Sequence, residues 1–475
     1  MRFYLTLFYS SVLLLAIACE STKPSSDERP NIILIMADDL GKEWVSGYGA
    51  EEIETPNIDA LINTGIKFKN VYAMPQCTPT RLTLLTGQYP YEHGWVNHWD
   101  VPRWGGGAHF DETINPCFPL ELRKAGYETL IAGKWQIDDF RVEPDALIRA
   151  GFDHYCMWTG GEGNNPPSDE RYQDPYIFTK EGSKTMEGAF GPDIFKDFIA
   201  DFIRGKREQP FFIYYPMVLP HAPFVNTPME SAEDNLGKHK AMIRYVDKLT
   251  GDIVKALDDS GHGENTIVVW TGDNGTTGRI TGTLNGEQVR GGKGKTSQNG
   301  IDVPFIVRWP KYIKESVVSS ALIDFTDIYP SFLDLAEVAV KGKVGTSFYD
   351  ILKDPSIATK RDWVMSMGGG NHAALTSKGV ENQYRFRDRV IRDKQYKLYV
   401  NSDREAEKFF DLLSDPFEKK DLMKELHIGD REERMEALLE IILTQPLEDS
   451  DPRYKSNPTQ PWDVEISEES KKWKL

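Results

Sequence analysis

The sequence predicts an α/β fold: a large, mostly parallel sheet flanked by helices, followed by a smaller C-terminal α+β unit containing an antiparallel sheet. Two observations carry this. Short apolar runs rich in β-formers alternate with helical patterns, and the charged or metal-type residues come directly after the strands. Strands buried on both faces read as continuous apolar runs in parallel sheets. Open α/β sheets collect their sites beyond the carboxyl ends of those strands. With 475 residues, 40% of them hydrophobic, the chain can bury a large core. Its formal charge of -17 argues against nucleic acid as a partner. An anionic substrate remains compatible, because a local basic site overrides the global field at short range.

The N-terminus reads as a targeting segment. Arg2 is the only early charge, and the apolar run from Leu5 to Ile17 is too short to span a bilayer. It fits a secretory h-region. The run ends in "LAIACEST", which resembles a bacterial lipobox with Cys19 as the lipidated residue. Residues 1–19 are therefore expected to be a signal peptide with lipobox, and 20–29 a polar tether. The expected location is exported and lipid-anchored, in the periplasm or at the outer membrane or cell surface of a bacterium. An ordinary signal peptide cut near Ala18 is the alternative.

Residues 30–346 are expected to form the main α/β unit. "NIILIMADDLG" brings Asp38 and Asp39 to a strand end. "YETLIAGKWQ" follows the helical "FPLELRKAG" and brings Lys134. "PFFIYYPMVLPHAP" follows "DIFKDFIADFIRG" and brings His221. "NTIVVWTGDNG" follows the amphipathic "MIRYVDKLTGDIVKALDDSG" and brings Asp273 and Asn274. Four strands thus deliver charged and metal-type groups to one rim. Asp38, Asp39, Asp273 and Asn274 are hard oxygen donors without accompanying thiols, a set that prefers Ca²⁺ or Mg²⁺ over zinc. Taken singly, Asp39 or Asn274 could equally cap a helix or turn.

"PQCTPTRLTLLTG" reads as a helix with Thr78 as N-cap, Pro79 at the first helical position and Gly87 as the stop. Cys77 then sits at a helix N-terminus, where the dipole favours negative charge. Arg81 lies one turn along, within reach of it. The residues alone leave two readings: a low-pKa nucleophile or a buried structural thiol. Four scattered cysteines are no disulfide framework, and pairing of Cys117 with Cys156 stays open.

The texture changes at about Ser347, and 347–475 reads as the C-terminal subdomain and tail. "RDWVMSMGG", "YRFRDRVIRD" and "QYKLYVN" read as antiparallel strands, and "REERMEALLEIILTQ" as an amphipathic helix. Arg385, Arg387 and Arg389 alternate at period two, so one strand face would carry three guanidiniums. That face is either solvated and paired with nearby acids, or it borders the site.

Cys77-Thr78-Pro79-Thr80-Arg81 resembles the C-x-P-x-R signature of the type I sulfatases, within the alkaline phosphatase superfamily. "TPNIDALINTGIKFKNVYA", "LTGQYPYEHG", "AGYETLIAGKW", "GDNG", "GGKG", "DFTDIYPSFLDLAEV" and "FFDLLSDPFEKKDL" resemble further family blocks in family order, from about Arg29 to Met423. The resemblance implies an alkaline phosphatase-like fold and a formylglycine (3-oxoalanine) at residue 77, made by a separate maturation enzyme. Hydrated, that group is a gem-diol: one hydroxyl attacks sulfur and the other expels sulfate. The resemblance further implies Ca²⁺ held by Asp38, Asp39, residue 77, Asp273 and Asn274, with Mg²⁺ the lesser choice. It makes Arg81 the group that steadies residue 77, and Lys134, His221 and Lys293 the clamp on sulfate and leaving oxygen. Lys293 is preferred to Lys295 because it lies eleven residues before Pro304.

Two departures stand out. The family usually has histidine two residues after the lysine of GKW, and here it is Gln136, which can donate to sulfate but cannot take a proton. The family's E-G-G-x-R reads Gln298-Asn299-Gly300-Ile301-Asp302, which is expected to alter a loop near the substrate pocket. Substrate contacts are expected from Gln136 and, on two long polar loops, from Trp104, His98, His109 and Arg171. A sulfated carbohydrate or polysaccharide is the expected substrate. The competing readings are a phosphodiester or phosphonate ester hydrolase of the same superfamily, and a non-catalytic lipoprotein that binds sulfated glycan.

Overall fold

The computed structural model describes residues 29–96, 108–162, 165–340, 342, 345–368, 373–376, 379–382, 386–448, 454–456 and 461. Its centre is a ten-stranded sheet. Across it the strands run Val317–Asp324, Ile66–Tyr72, Phe305–Arg308, Thr266–Gly272, Asn31–Ala37, Phe211–Pro216, Glu128–Lys134, His154–Trp158, Tyr176–Thr179 and Gly182–Thr185. The pairing directions leave only Phe305–Arg308 and Tyr176–Thr179 reversed, so the sheet is mostly parallel as expected.

Asn31–Ala37 lies in the middle, paired in parallel with Phe211–Pro216 on one side and Thr266–Gly272 on the other. Its side chains alternate between two cores. Ile32, Leu34 and Met36 enter one, with Phe118, Leu122 and Phe332 from covering helices. Ile33, Ile35 and Ala37 enter the other, with Phe195, Ile199, Val246 and Leu249. That explains the unbroken apolar run: every residue from Ile32 to Ala37 is fully buried. Each fully buried large aliphatic side chain contributes about 1.5–3 kcal/mol, so the site that follows stands on a firmly held central strand.

Helices Phe118–Lys124, Gly191–Arg204 and Asn235–Asp259 precede their strands as the sequence indicates. Asn235–Asp259 begins seven residues earlier than the periodic apolar pattern. Its cap is Asp234, whose side chain accepts from the Gly237 N–H, a local signal ahead of the apolar stripe. The cysteine-bearing helix is Cys77–Thr86, with Gln76 as N-cap. The expected cap at Thr78 is therefore corrected: the chain is already helical at Cys77, and Gly87 ends the helix at φ 68°.

The C-terminal unit is an antiparallel sheet of Val364–Met367, Arg389–Arg392, Tyr396–Val400 and Ala406–Asp411, with helix Arg431–Thr444 packed on it through Leu438 and Ile442. The tail returns to the main unit, where Tyr454–Ser456 pairs with Ala108–Phe110. Arg387 and Arg389 are fully buried, so the expectation of an exposed arginine face fails for both, and Arg385 lies outside the described residues. Arg389 packs over the rings of Phe386 and Tyr91 at 4.3 and 4.8 Å, which fill the space a solvated face would need. Cys117 and Cys156 are free buried thiols, and Cys19 lies outside the described residues.

Candidate active site

Four strand ends and one helix N-terminus converge at the rim. Asp38 follows Asn31–Ala37, and its N–H donates to the Leu219 carbonyl at 2.8 Å. The Asp273 N–H donates to the Ala37 carbonyl at 3.0 Å, and the Asp39 N–H to Asp273 Oδ1 at 3.0 Å. Asp39 adopts φ 66°, a left-handed turn that aspartate tolerates better than most residues. Just before Lys134, Gly133 sits at φ 126°, and a Cβ there would lie 2.0 Å from the Pro216 carbonyl oxygen. Only glycine lets the two strand ends approach that closely.

Helix Cys77–Thr86 is buried at every position and points its first turn into this rim. Arg81 donates to Asp273 Oδ2 at 2.8 Å and to the Lys134 carbonyl at 3.0 Å, with Asp38 Oδ1 at 3.8 Å. Lys134 Nζ meets Asp38 Oδ2 at 2.7 Å. Lys293 Nζ reaches Asp39 at 2.6 Å, and His221 Nε2 lies 3.6 Å from Asp39. Lys295, two residues beyond Lys293, lines a different cavity. The Cys77 thiol donates to Gln136 Oε1 at 3.5 Å, so the glutamine that replaces the usual histidine faces residue 77 directly.

Charge is balanced but crowded. Burial opposes ionisation of Asp38, yet the cations Lys134, Arg81 and Lys293 outweigh it and hold the carboxyl well below the usual range. Burial and the neighbouring Asp38 charge push Asp273 up to about 7 against the pull of Arg81. Burial pushes His221 down to about 3, with Asp39 opposing, so the imidazole is neutral. Burial would lower Lys293, but Asp39 more than offsets it and keeps the ammonium charged.

Three carboxylates (Asp38, Asp39, Asp273) thus face three cations (Arg81, Lys134, Lys293). A divalent cation added to this set would make the rim net positive, as an anionic substrate group requires. The donor set fits such an ion. Asp38 Oδ1 and Asn274 Oδ1 are buried acceptors without a hydrogen-bond partner, which is costly unless a cation takes them. Ligand atoms of Asp38, Cys77 and Asp273 lie within 4.8 Å of one another, as do those of Asp38, Asp39 and His221. Carboxylate and amide oxygens select a hard cation.

A cavity of about 550 Å³ opens over these groups, lined by Gln76, Cys77, Gln136, Arg171, His221 and Lys293 among others. Arg171 is held by Trp158, whose ring centroid is 4.5 Å from the guanidinium carbon, and it reaches His221 Nδ1 at 3.2 Å. Of the sequence-proposed substrate residues, Gln136 and Arg171 are therefore brought to the cavity. His98 and Trp104 lie outside the described residues, and His109 falls within the strand Ala108–Phe110. Sequence reasoning missed Trp158 and Gln76. Trp158 ends the strand His154–Trp158, so the strand-end rule that located the acids would have found it.

The fold and this rim define an α/β enzyme built to handle an anionic ester. A family model for sulfatases matches residues 30–338, and one for the N-sulphoglucosamine sulphohydrolase C-terminal region matches residues 293–445. The chain belongs to the type I sulfatase family of the alkaline phosphatase superfamily and is a sulfuric ester hydrolase. It is 27% identical to an N-acetylgalactosamine-6-O-sulfatase of Bacteroides thetaiotaomicron, over 84% of this chain and 91% of that protein. It is 26% identical to an N-acetylglucosamine-6-O-sulfatase of the same organism, over 94% and 92%. A structure solved in complex with k-i-k-neocarrahexaose shares the fold at TM-score 0.74 and 23% identity, covering 94% of this chain and 97% of that one.

Proposed function

We propose that this chain removes sulfate esters from a sulfated carbohydrate, with a 6-O-sulfated N-acetylhexosamine as the target unit, using formylglycine at residue 77 and Ca²⁺. The observation that carries this is the position of Cys77: first residue of a buried helix, with donor atoms of Asp38 and Asp273 within 4.8 Å of its sulfur. The sugar is supported by the names of the two Bacteroides relatives. Asp38, Asp39, Asp273 and Asn274 would hold the ion, which supplies Lewis acidity at a sulfate oxygen. The modified residue supplies the hydroxyls for attack on sulfur and for sulfate release.

The chain's own groups do the rest. Cys77 Sγ marks where the nucleophilic oxygen would sit, and Arg81, fixed by Asp273 and the Lys134 carbonyl, holds that helix turn in place. Lys134 and Lys293 direct ammonium protons at the position of the sulfate oxygens. His221, neutral, offers a ring N–H or lone pair near the leaving oxygen. Gln136 accepts from residue 77 and orients it, but an amide takes no proton at neutral pH. Release of sulfate is therefore the slow half of the cycle in this reading. A maturation enzyme that reads C-x-P-x-R is the implied partner. A lipid anchor at Cys19 on an exported protein is part of the same proposal.

The test is sulfate release from N-acetylgalactosamine 6-sulfate, N-acetylglucosamine 6-sulfate and their oligosaccharides, with a phosphodiester alongside. The protein is co-produced with a formylglycine-generating enzyme, and residue 77 is checked by peptide mass spectrometry. Sulfate release that is lost with a chelator and restored by Ca²⁺ is expected. Full activity with unmodified cysteine, or activity on the phosphodiester alone, would overturn the reading.

A further inference from the structure

The seam between the main sheet and the C-terminal unit holds two further cavities, of about 810 and 670 Å³. Val289, Gln298, Asn299, Pro416 and Phe417 line both, so the two cavities adjoin, and together they are the seam groove. One end begins at Gly294, the residue after Lys293, and the Gly294 N–H donates to the Pro75 carbonyl, two residues before Cys77. The groove thus starts at the wall of the active-site cavity and leads away from it.

Its far end is basic. Lys42, Lys67, Lys69, Arg392 and Lys394 line it, against only Glu43 and Asp302. In a chain of formal charge -17 this is a local reversal of sign. Asp302 is engaged by Lys42 at 2.6 Å. Glu43 is pushed up to about 6 by burial. Among the described residues, Lys67, Lys69, Arg392 and Lys394 make no ion pair. Lys67 donates to the Gly47 carbonyl at 2.8 Å, and the buried Arg392 guanidinium donates only to uncharged oxygens: the Asp393 carbonyl, Asn70 Oδ1 and the Lys394 carbonyl. Lys67 and Lys69 share one face of the strand Ile66–Tyr72, two residues apart. Four cations gathered without a direct ion-pair partner repel one another, a cost that an anion in the groove would relieve.

The cavity between the basic end and the active site is mixed in charge: Glu287, Asp388, Glu407, Glu418 and Asp421 line it with Arg290, Lys295, Lys408 and Lys419, and Glu287, Glu407 and Glu418 are paired with Lys419, Lys408 and Lys397. Where it meets the basic end lie Phe417, half-buried, and the amide side chains of Gln298 and Asn299. These are groups that stack on and hydrogen-bond to sugar. Gln298 and Asp302 belong to the stretch that departs from the E-G-G-x-R pattern. They do not line the Cys77 cavity, so the expectation that this departure alters the substrate pocket moves to the seam.

We infer that the seam groove binds a sulfated glycan chain at a distance from the cleaved ester, with Lys67, Lys69, Arg392 and Lys394 reading its further sulfate groups. This rests on the sulfated-carbohydrate reading above for its ligand, but not on turnover. Its occupant is a polyanion of spaced sulfates, because the cations are spread along a groove rather than focused on one point.

The test uses the full chain carrying Cys77→Ala, so that binding is measured without hydrolysis. The probes are a heparin dodecasaccharide, its chemically desulfated counterpart and phosphatidylglycerol vesicles. Lys69→Glu/Lys394→Glu alters only exposed side chains, and Lys67→Gln is added to it in a second variant. The dissociation constant for the sulfated dodecasaccharide should rise about tenfold, with a shallower dependence of log K on log salt. With Cys77 intact and matured, hydrolysis of a small aryl sulfate should be unchanged by the same substitutions. Loss of glycan binding in a protein that proves inactive on every sulfate ester would still support the groove, while the catalytic reading fell. An unchanged dissociation constant, an equal loss for the desulfated chain, or a loss confined to the vesicles would overturn it.

Discussion

The rim and the C-terminal unit both bury cations, and they use them in opposite ways. At the rim, Arg81, Lys134 and Lys293 each meet a carboxylate within 2.8 Å, yet acceptors of Asp38 and Asn274 are left over. In the C-terminal unit, Arg389 is spent on the rings of Phe386 and Tyr91. Lys397 is fixed by Glu418 at 2.7 Å and the Thr296 carbonyl at 2.8 Å. Burial pushes Lys397 down to about 8 despite Glu418. The second set cements one unit onto the other, and the first leaves unsatisfied oxygens that call for a ligand. Between these two places, it is the unsatisfied oxygens of Asp38 and Asn274, and not the burial of the cations, that mark the site.

The contrast breaks most sharply at residue 77. Cys77→Ala should lower turnover of a sulfate ester by about four orders of magnitude, while leaving the thermal midpoint within a degree or two of the parent. A variant that retains substantial turnover would show that the rim's nucleophile is elsewhere.

The reverse outcome is expected at the seam. Arg361 Nε donates to Asp327 Oδ2 at 2.8 Å, and both side chains are buried. Arg361→Ala leaves Asp327 without its cation and should cost about 3–5 kcal/mol of stability in urea unfolding. Turnover per folded molecule should change less than about threefold. If turnover falls while stability holds, Arg361 belongs to the site and the contrast fails.

Glu43 sharpens the comparison through pH. It is buried with Oε1 unpartnered, and burial raises its carboxyl from 4.5 to about 6. Below the unfolded value both states are protonated. As pH rises to about 6 the unfolded chain ionises first, so this stabilising contribution is lost. Glu43→Gln should therefore gain on the parent by up to about 2 kcal/mol between pH 4.5 and 6. A stability difference flat over that window would show that Glu43 is solvated or paired.

The smallest expected effect is at Gln136. With slow sulfate release, a sulfated residue 77 should accumulate during turnover and a burst of alcohol should precede the steady state. Gln136→His should raise steady-state turnover by several-fold, about 1 kcal/mol off the barrier. No burst, together with a slower histidine variant, would make Gln136 a residue that shapes the pocket.

Much of the molecule is legible from the chain alone. The strand Asn31–Ala37 shows as an unbroken apolar run because both its faces are buried, and the acids that follow it show because parallel strands end at one rim. The C-x-P-x-R stretch and its companion blocks identify the family, and the spacing to Pro304 selects Lys293, which the structure brings to Asp39. These features are local: a side chain's period along a strand, or its distance along the chain from a motif, is written in the sequence. Other features were decided only in three dimensions. That Arg389 is buried depends on a ring from elsewhere in the chain, that of Tyr91, and a period-two pattern cannot say which face is covered. That Gln298 and Asp302 line the seam rather than the pocket, and that Lys67 and Arg392 lie on one groove, depends on how two units pack across more than three hundred residues. Charge and burial are sums over neighbours in space, so no reading along the chain could set them.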